Sequence, residues 1–208
     1  MINFGFAPSV ITGDEHIFRM DGPMDFPEKY SYQSILPKVL NQGNLPICVP
    51  CSLSAYLNWN ENLKDGSNKD NNIKYNEIFN ARDKSMSEGM SFKDALSYLR
   101  HNGVSSDFGV LNINQYAMVQ SGIGLRNAIV MNGPCVGGLP VYNYNDKFWI
   151  KGYGEELQGY HAVSIVGYDE KLNFILRNSW GTSFGDNGYT KIPHEELNKF
   201  VEIWTIIE

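Results

Sequence analysis

The stretch GYHAVSIVGY, residues 159–168, decides the character of the C-terminal half of the chain. It places one histidine, His161, at the mouth of an otherwise apolar, β-branched run, which is typical of a buried strand. A second short run, residues 174–178, follows and ends at Asn178. If the two runs pair as a hairpin, His161 and Asn178 lie at the same end of a sheet. The asparagine carbonyl can then accept the histidine N–H and fix its tautomer.

A candidate nucleophile, Cys48, lies far upstream of this hairpin. It follows the turn-rich loop NQGNLP, residues 41–46, and opens a segment whose apolar residues recur at helical spacing through about Leu63. A helix N-terminus carries a partial positive charge and unpaired N–H groups, both of which favour the reactive thiolate. A cysteine at a helix start is more often a packing residue, so Cys48 gains weight only together with His161 and Asn178.

Three sequence blocks closely resemble the active-site blocks of papain-like cysteine peptidases, in the same order along the chain. They are NQG followed by cysteine (residues 41–48), YHAV followed by VGY (residues 160–168), and NSWGT followed by GDNGY (residues 178–189). The gap between cysteine and histidine is a little shorter than the ~130–150 residues typical of that pattern. Weaker similarity extends the resemblance over about residues 35–195.

This resemblance implies an α+β, papain-like two-lobe fold, with a helical N-terminal half, an antiparallel β C-terminal half and the active-site cleft between them. It implies a cysteine endopeptidase, a hydrolase that cleaves peptide bonds through a Cys48–His161–Asn178 triad and an acyl-enzyme intermediate. It also makes Gln42 the oxyanion-hole side chain.

The same resemblance assigns three residues to the substrate side of the cleft: Gly89, Tyr160 and Trp180. Gly89 falls in the region where family members bind the substrate backbone. Trp180 is expected to shield the histidine–asparagine hydrogen bond from water, which strengthens such a bond.

The chain departs from the family pattern around the nucleophile and at its N-terminus. Pro46 and Ile47 replace the usual small residues before Cys48, and Val49 replaces the usual aromatic residue after it. Only 47 residues precede Cys48, too few for a full inhibitory propeptide. We therefore expect similarity to the short bacterial, archaeal and viral members. Activity is expected to be restrained by the N-terminal arm, by a regulatory partner in place of a propeptide, or by restricted expression. The arm is expected to pack on the surface rather than to fill the cleft.

The chain is predicted to form one catalytic domain over residues 1–208, with an extended arm at 1–34, a mainly helical lobe at 35–131 and a mainly β lobe at 132–208. Apolar periodicity predicts helices over residues 48–63, 76–82, 92–101 and 126–131. Short β-branched or aromatic runs predict strands over residues 136–142, 162–168, 174–177, 189–192 and 202–207.

Bulk composition narrows the class of protein. Hydrophobic residues make up 42% and charged residues 19% of the 208 residues, which indicates an ordinary globular chain. The net charge of -6, without a basic run, argues against a nucleic-acid partner and leaves a protein or peptide substrate. There is no apolar run of the ~20 residues that span a bilayer. The N-terminus does not resemble a signal peptide.

Cysteine and histidine usage gives two further expectations. Three cysteines cannot all pair, which favours a reducing compartment, cytoplasmic or otherwise non-secreted. The four histidines are scattered without metal-ligand spacing, so neither a metal nor a cofactor is expected.

Two other functions compete with the peptidase. Cys48-Val49-Pro50-Cys51 has the C-x-P-C pattern of a thiol oxidoreductase, although the βαβ context of such a site is missing. Alternatively, the chain is a catalytically silent papain-like scaffold or binding protein. A third reading keeps the chemistry but transfers the acyl group to another acceptor or cleaves an isopeptide bond.

Overall fold

The computed structural model describes residues 4–19, 25–85 and 89–208. These residues contain four α-helices. They are α1 (Cys48–Asn62), α2 (Tyr75–Asn80), α3 (Phe92–His101) and α4 (Gly122–Asn132), with short 3-10 turns at Gln33–Ile35 and His194–Lys199. Three of the four helices lie in the first half of the chain, where the sequence predicts them.

The central helix α1 is buried over most of its length rather than along one stripe. Its small serines let neighbouring segments pack closely, and they satisfy their hydroxyls within the helix. Ser52 Oγ donates to the Val49 carbonyl at 2.8 Å and Ser54 Oγ to the Cys51 carbonyl at 2.6 Å. Because these polar groups are paired locally, burying them costs little. Helix α1 can therefore lie buried between the two lobes, in contact with α2 and α3 on one side and with strands of the C-terminal half on the other.

Nine strands lie among the described residues. They are β1 (Tyr30–Ser31), β2 (Val104–Ser106), β3 (Gly109–Leu111), β4 (Gln115–Met118), β5 (Cys135–Val141), β6 (Gly159–Tyr168), β7 (Asn173–Arg177), β8 (Tyr189–Pro193) and β9 (Glu202–Ile207). Strands β2 and β3 form a separate hairpin, and the others form one sheet in the order β4-β9-β5-β6-β7-β8, with β1 added on β6. All named pairings are antiparallel.

The border between the two halves is less simple than the sequence pattern indicates. The segment 104–118, assigned to the helical half, contains three strands, and β4 joins the large sheet by pairing with β9. Helix α4 contributes Leu125, Ala128 and Ile129 to the apolar cluster that covers this sheet. A second cluster fills the helical lobe, with α1 and α3 at its centre. The cleft lies where the two clusters meet.

Candidate active site

The predicted hairpin is formed by β6 and β7, which pair from Ser164 and Arg177 to Tyr168 and Phe174. Pairing in this register brings His161, just before the paired region, next to Asn178, just after it. His161 Nε2 lies 2.7 Å from Asn178 Oδ1. The same oxygen accepts the backbone N–H of Ser179 at 2.7 Å, which fixes the orientation of the asparagine amide. Asn178 thus orients the histidine ring, and the Ser179 backbone N–H in turn orients Asn178.

Aromatic rings enclose this pair. The Trp180 ring lies over the imidazole with centroids 4.6 Å apart, and Phe148 meets the imidazole edge-on at 5.7 Å. His161 is fully buried beneath them. Burial lowers the pKa of His161 to about 4, and the hydrogen bond that the ring donates to Asn178 Oδ1 opposes that shift. The imidazole is therefore neutral near pH 7 in this conformation.

Cys48 is the first residue of α1 and is also fully buried. Burial raises the pKa of its thiol to about 11, while backbone N–H groups of Ala162 and Gly5 reach the sulfur and partly offset the shift. The Ala162 amide follows directly after His161, so the sulfur lies beside the peptide that carries the imidazole. Ser164 Oγ fixes this approach by donating to the Ser52 carbonyl of α1 at 2.6 Å.

The second imidazole nitrogen is the one that could act on Cys48. His161 Nδ1 is buried and makes no hydrogen bond with the described residues. A buried nitrogen without a partner is costly and calls for an explanation. In this conformation the cysteine and histidine are adjacent and neutral but are not joined by a hydrogen bond.

Gln42 is drawn to the site by pairing between its loop and the loop after β7. Its backbone N–H donates to the Ser179 carbonyl at 2.9 Å, and Gly181 N–H donates to the Leu40 carbonyl at 2.9 Å. The Gln42 side chain is buried as well. Its Oε1 accepts the Ser179 hydroxyl at 2.6 Å, and its Nε2 donates to the Leu45 carbonyl at 2.9 Å. Ser179 therefore links the oxyanion candidate to the Asn178 loop, a role that the sequence analysis missed.

The N-terminal arm runs through the cleft, so the expectation that it packs on the surface is wrong. The backbone of Gly5 lies directly against Pro46, where an added Cβ would come within 2.0 Å of the carbonyl oxygen. Met90 N–H donates to the Gly5 carbonyl at 2.8 Å and Ala7 N–H donates to the Met90 carbonyl at 3.1 Å. Phe6 and Met90 thereby form a parallel bridge. The arm can pass this close to Cys48 because residue 5 is a glycine, and any side chain there would clash with Pro46.

Side chains on both sides of Gly5 also pack against the protein. Phe6 is buried against Phe92, with ring centroids 4.9 Å apart, and its ring occupies the space that a Cβ on Gly138 would need. Phe4 packs against Gly159 on the opposite side. In the sequence, this cleft-covering segment is marked only by two phenylalanines around one glycine, residues 4–6. Their location depends on tertiary contacts that no local pattern encodes.

Polar contacts fasten the arm beyond the cleft. Ser9 N–H donates to Glu202 Oε1 at 2.7 Å. Lys93 Nζ lies 2.7 Å from Glu15 Oε1. The Lys93 hydrogen bond, together with backbone N–H groups of Thr12 and Gly13, holds the pKa of the Glu15 carboxyl far below its usual range. The arm is thus anchored at both lobes.

Of the three predicted substrate-side residues, Gly89 lies against the arm and Trp180 against His161, whereas Tyr160 packs elsewhere. A Cβ on Gly89 would lie 2.9 Å from the Gly5 carbonyl oxygen, so Gly89 faces the occupied cleft. Trp180 covers the imidazole, as described above. Tyr160 is half-buried and packs against the cluster of the helical lobe. The structure adds Met90, which supplies the backbone pairing to the arm.

Helices on one side, an antiparallel sheet on the other, and a cysteine at the central helix start beside a histidine–asparagine pair define a papain-like fold. The chain belongs to the papain family of cysteine proteases, whose sequence profile, described as "Papain family cysteine protease", matches residues 51–203. That match covers about three quarters of the chain and begins after Cys48. The assignments of Cys48 and Gln42 therefore depend on their own motif and geometry.

Several named proteases are similar in sequence. Cysteine proteinase 3 of Entamoeba histolytica is 26% identical over 83% of this chain and 64% of its own length. Cathepsin B-like cysteine proteinase 1 of Haemonchus contortus is 33% identical over 37% of this chain, and the match spans 24% of that protein. The matched part of the chain therefore spans about a quarter of that relative's length and about two thirds of the Entamoeba protein's.

Solved structures share the fold over nearly the whole chain. Xylellain, a cysteine protease from Xylella fastidiosa, superposes with a TM-score of 0.79 at 21% identity, covering 99% of this chain and 96% of that one. Procathepsin L2 from the Tenebrio molitor larval midgut gives 0.75 at 17% identity, covering 100% and 78%. At these identities the likeness shows the fold alone.

In residues 4–19, 25–85 and 89–208, no helix has the length and apolar character to cross a membrane. The same residues contain no group of three or more His, Cys, Asp or Glu side chains arranged to hold a metal ion.

Proposed function

We propose that the protein is a cysteine endopeptidase that hydrolyses peptide bonds in protein or peptide substrates. The observation that supports this most directly is the 2.7 Å hydrogen bond from His161 to Asn178, enclosed by Trp180 and directly beside Cys48. A structural histidine needs no asparagine, tryptophan cover and neighbouring thiol at a helix start. Together they form the nucleophile, base and orienting group of a covalent hydrolase.

The proposed reaction begins once a substrate replaces the arm. In the closed conformation burial keeps Cys48 and His161 neutral, because both charged forms are poorly solvated. With the cleft open, His161 takes the thiol proton and the thiolate attacks the peptide carbonyl. His161 then protonates the leaving amine. It afterwards activates a water that hydrolyses the acyl-enzyme. Asn178 orients the imidazole throughout and makes no bond to substrate.

The oxyanion is proposed to bind between Gln42 and the backbone N–H of Cys48. An amide NH₂ has two hydrogens, and Gln42 uses one for the Leu45 carbonyl. The Ser179 hydroxyl holds the other end of the amide, so Nε2 rather than Oε1 faces the loop before Cys48. Removal of one such donor typically lowers the rate ~100- to 1000-fold.

The conformation described here is proposed to be a latent state. Gly5 lies over the nucleophile and Phe6 is buried, so a peptide cannot enter until residues 4–9 leave. This restraint takes the place expected for a propeptide or a regulatory partner. The same observation favours the second candidate, a catalytically silent scaffold, in which the arm never leaves.

Covalent labelling separates the two candidates. A peptide carrying an electrophilic epoxide is incubated with the full chain near pH 6–7, and intact mass and peptide mapping locate the adduct. For a peptidase we expect stoichiometric labelling of Cys48, lost in Cys48→Ala and strongly slowed in His161→Ala. Cys135→Ala is the matched control, because that buried thiol lies in strand β5. Absence of labelling in Phe6→Ala as well, where the arm is weakened, would establish the silent scaffold.

Cleavage of a proteome-derived peptide library then tests hydrolysis itself. The wild type is expected to cut peptides and Cys48→Ala is not. Transfer of the acyl group to added amines, without free-acid products, would replace hydrolysis by acyl transfer.

A further inference from the structure

The proposed mechanism leaves one nucleophilic group near the site without a role. Cys51 lies one helical turn after Cys48 in α1 and is a free, buried cysteine. The intervening residues are Val49 and Pro50, so the helix opens with Cys-x-Pro-Cys. A small apolar residue would fill the same space, and alanine already occupies position 55 of this helix. Packing alone therefore does not require a thiol at position 51, and chemistry with Cys48 would give that thiol a role.

We propose that Cys51 is a resolving cysteine, which captures an oxidised Cys48 in a reversible intrahelical disulfide and so turns the peptidase off under peroxide. The proposal assigns the C-x-P-C motif to protection of the nucleophile rather than to oxidoreductase catalysis. It rests on the proposed function in one respect, namely that Cys48 is the reactive thiol.

Helix geometry brings the two cysteines near bonding distance. Residues three apart in an α-helix have Cα atoms about 5 Å apart, within the range of about 4.4–6.8 Å for disulfides. Their Cβ atoms are about 5–6 Å apart and must approach to about 3.5–4.5 Å. Closure thus requires a shift of roughly 1–2 Å within the first turn.

The first turn of α1 is suited to such a shift. Its N-cap, Ile47, makes no side-chain capping bond. Pro50 has no N–H, so it breaks no backbone hydrogen bond when the turn deforms. The bond most directly affected is Cys51 N–H to the Ile47 carbonyl, 3.0 Å long. Helix ends open more readily than helix interiors, and this bond lies in the first turn of α1.

The third cysteine belongs to another part of the protein. Cys135 begins strand β5 and lies in the apolar cluster of the sheet, whereas Cys48 lies in the cluster of the helical lobe. Its sulfur points to the Gly133 carbonyl, 3.9 Å away. Cys135 is therefore a matched control: a buried free thiol in the same chain that is not adjacent in the helix.

The chemistry balances with a hydroperoxide as oxidant. The Cys48 thiolate attacks the peroxide O–O bond and becomes a sulfenic acid, and the leaving hydroxide takes a proton to form water. The Cys51 sulfur then attacks the sulfenic sulfur, and the departing hydroxyl takes the Cys51 proton to form a second water. Two thiols and one hydrogen peroxide thus give one disulfide and two waters. A dithiol reductant reverses the result by exchange.

The arm sets the order of events. Cys48 is fully covered while Gly5 lies over it, so peroxide reaches the sulfur after the arm moves. Oxidation then falls on the open, active form and spares the latent one. Without Cys51 the sulfenic acid would continue to sulfinic acid, which is not reversed by thiols.

The test treats the full chain with graded hydrogen peroxide and reads the products by intact mass and disulfide mapping. The wild type should lose two hydrogen masses, yield a linked Cys48–Cys51 peptide and regain its free thiols with dithiothreitol. Cys135→Ala should behave identically. Cys51→Ala and Cys51→Ser should instead gain two or three oxygen atoms at Cys48, without recovery. Two variants are used so that a folding defect in one does not decide the result.

These readouts do not depend on proteolysis. If Cys48 is labelled by the epoxide yet no linked peptide forms at any peroxide level, the resolving role is refuted and the peptidase stands. Formation of the linked peptide in a chain that neither labels nor cleaves would instead refute the peptidase and leave the redox pair. Cys51→Ala that over-oxidises no faster than wild type would also overturn the proposal.

Discussion

The β6–β7 hairpin and the N-terminal arm both reach Cys48, but different forces hold them there. The hairpin is part of a continuous sheet, and Ser164 bonds it to helix α1. The arm residues that cover Cys48, 4–9, contribute one bridge to Met90, one buried phenylalanine and a few hydrogen bonds. Later arm residues join the sheet, through a bridge from Ile17 to Met118 and through strand β1 on β6. Loss of the hairpin would remove strands from the apolar core of the sheet. Loss of residues 4–9 would only uncover the groove beside Cys48. Catalytic geometry and its occlusion are therefore built on separable parts of the molecule.

The largest effect is expected when the proposed nucleophile or base is replaced while the hairpin and the arm stay folded. Cys48→Ser and His161→Ala are expected to lower turnover at least ~10⁴-fold, since each removes a group that makes or breaks bonds. Circular dichroism and thermal unfolding should show a folded protein with the arm in place. If either variant retained substantial activity, the assignment of nucleophile and base would fail. If both unfolded, the hairpin would not be the independent support described here.

Asn178→Ala probes the hairpin more gently. The imidazole should stay under Trp180 but lose the acceptor that fixes its orientation, so we expect a loss on the order of 100- to 1000-fold. The effect should fall on kcat with little change in KM, because Asn178 is proposed to touch the base and not the substrate. Asn173→Ala, at the far end of β7, is the matched control and should be nearly neutral in kinetics. Equal losses in Asn178→Ala and His161→Ala would contradict an orienting role.

Most of the β6–β7 hairpin and of the elements around it could be predicted from the sequence. Apolar and β-branched runs gave the bounds of α3 and β9 as the structure has them, and β5 through β8 within a few residues. His161 and Asn178 meet because a hairpin register brings strand ends together, which follows from local pattern alone. Strand β4 was missed, because QYAM is short and alternates only weakly.

The arm could not be predicted in the same way. Phe4, Gly5 and Phe6 have no periodicity, and their position depends on a groove formed by residues distant in the sequence, such as Pro46 and Met90. The Ser179–Gln42 hydrogen bond likewise joins residues 137 positions apart. Side-chain contacts of this kind arise from tertiary packing, so a family pattern can place the residues but not the bonds between them.

Phe6→Ala tests the arm itself. Burying a phenylalanine contributes about 1.5–3 kcal/mol, so its loss should raise the open fraction up to roughly 100-fold. We expect faster epoxide labelling of Cys48 and a higher kcat/KM, with an unchanged thermal midpoint for the rest of the protein. Val10→Ala, an arm residue that is 65% exposed, should change neither rate. A slower or unchanged labelling rate in Phe6→Ala would show that the arm is not what limits access.

Acidification should open the arm as well, with a smaller effect than Phe6→Ala. Burial lowers the pKa of His161 from 6.5 to about 4 in the closed state, and an exposed imidazole returns to about 6.5. The open state thus binds the extra proton, so closure is fully supported above pH 6.5 and weakens as pH falls towards 4. Between pH 7 and pH 5 the open fraction should rise about 20-fold.

Two carboxylates, Glu15 on the arm and Glu202 facing it, can be separated from this effect. Glu15 stays ionised well below pH 5, because its pKa is held low by Lys93 and backbone N–H groups. Glu202 accepts the Ser9 N–H, and Glu202→Gln is the control that removes this carboxylate. Hydrogen exchange of the Ala7 amide, corrected for its intrinsic pH dependence, reports opening directly. The acid response should persist in Glu202→Gln and vanish in His161→Ala; the reverse pattern would contradict the assignment of the acid response to His161.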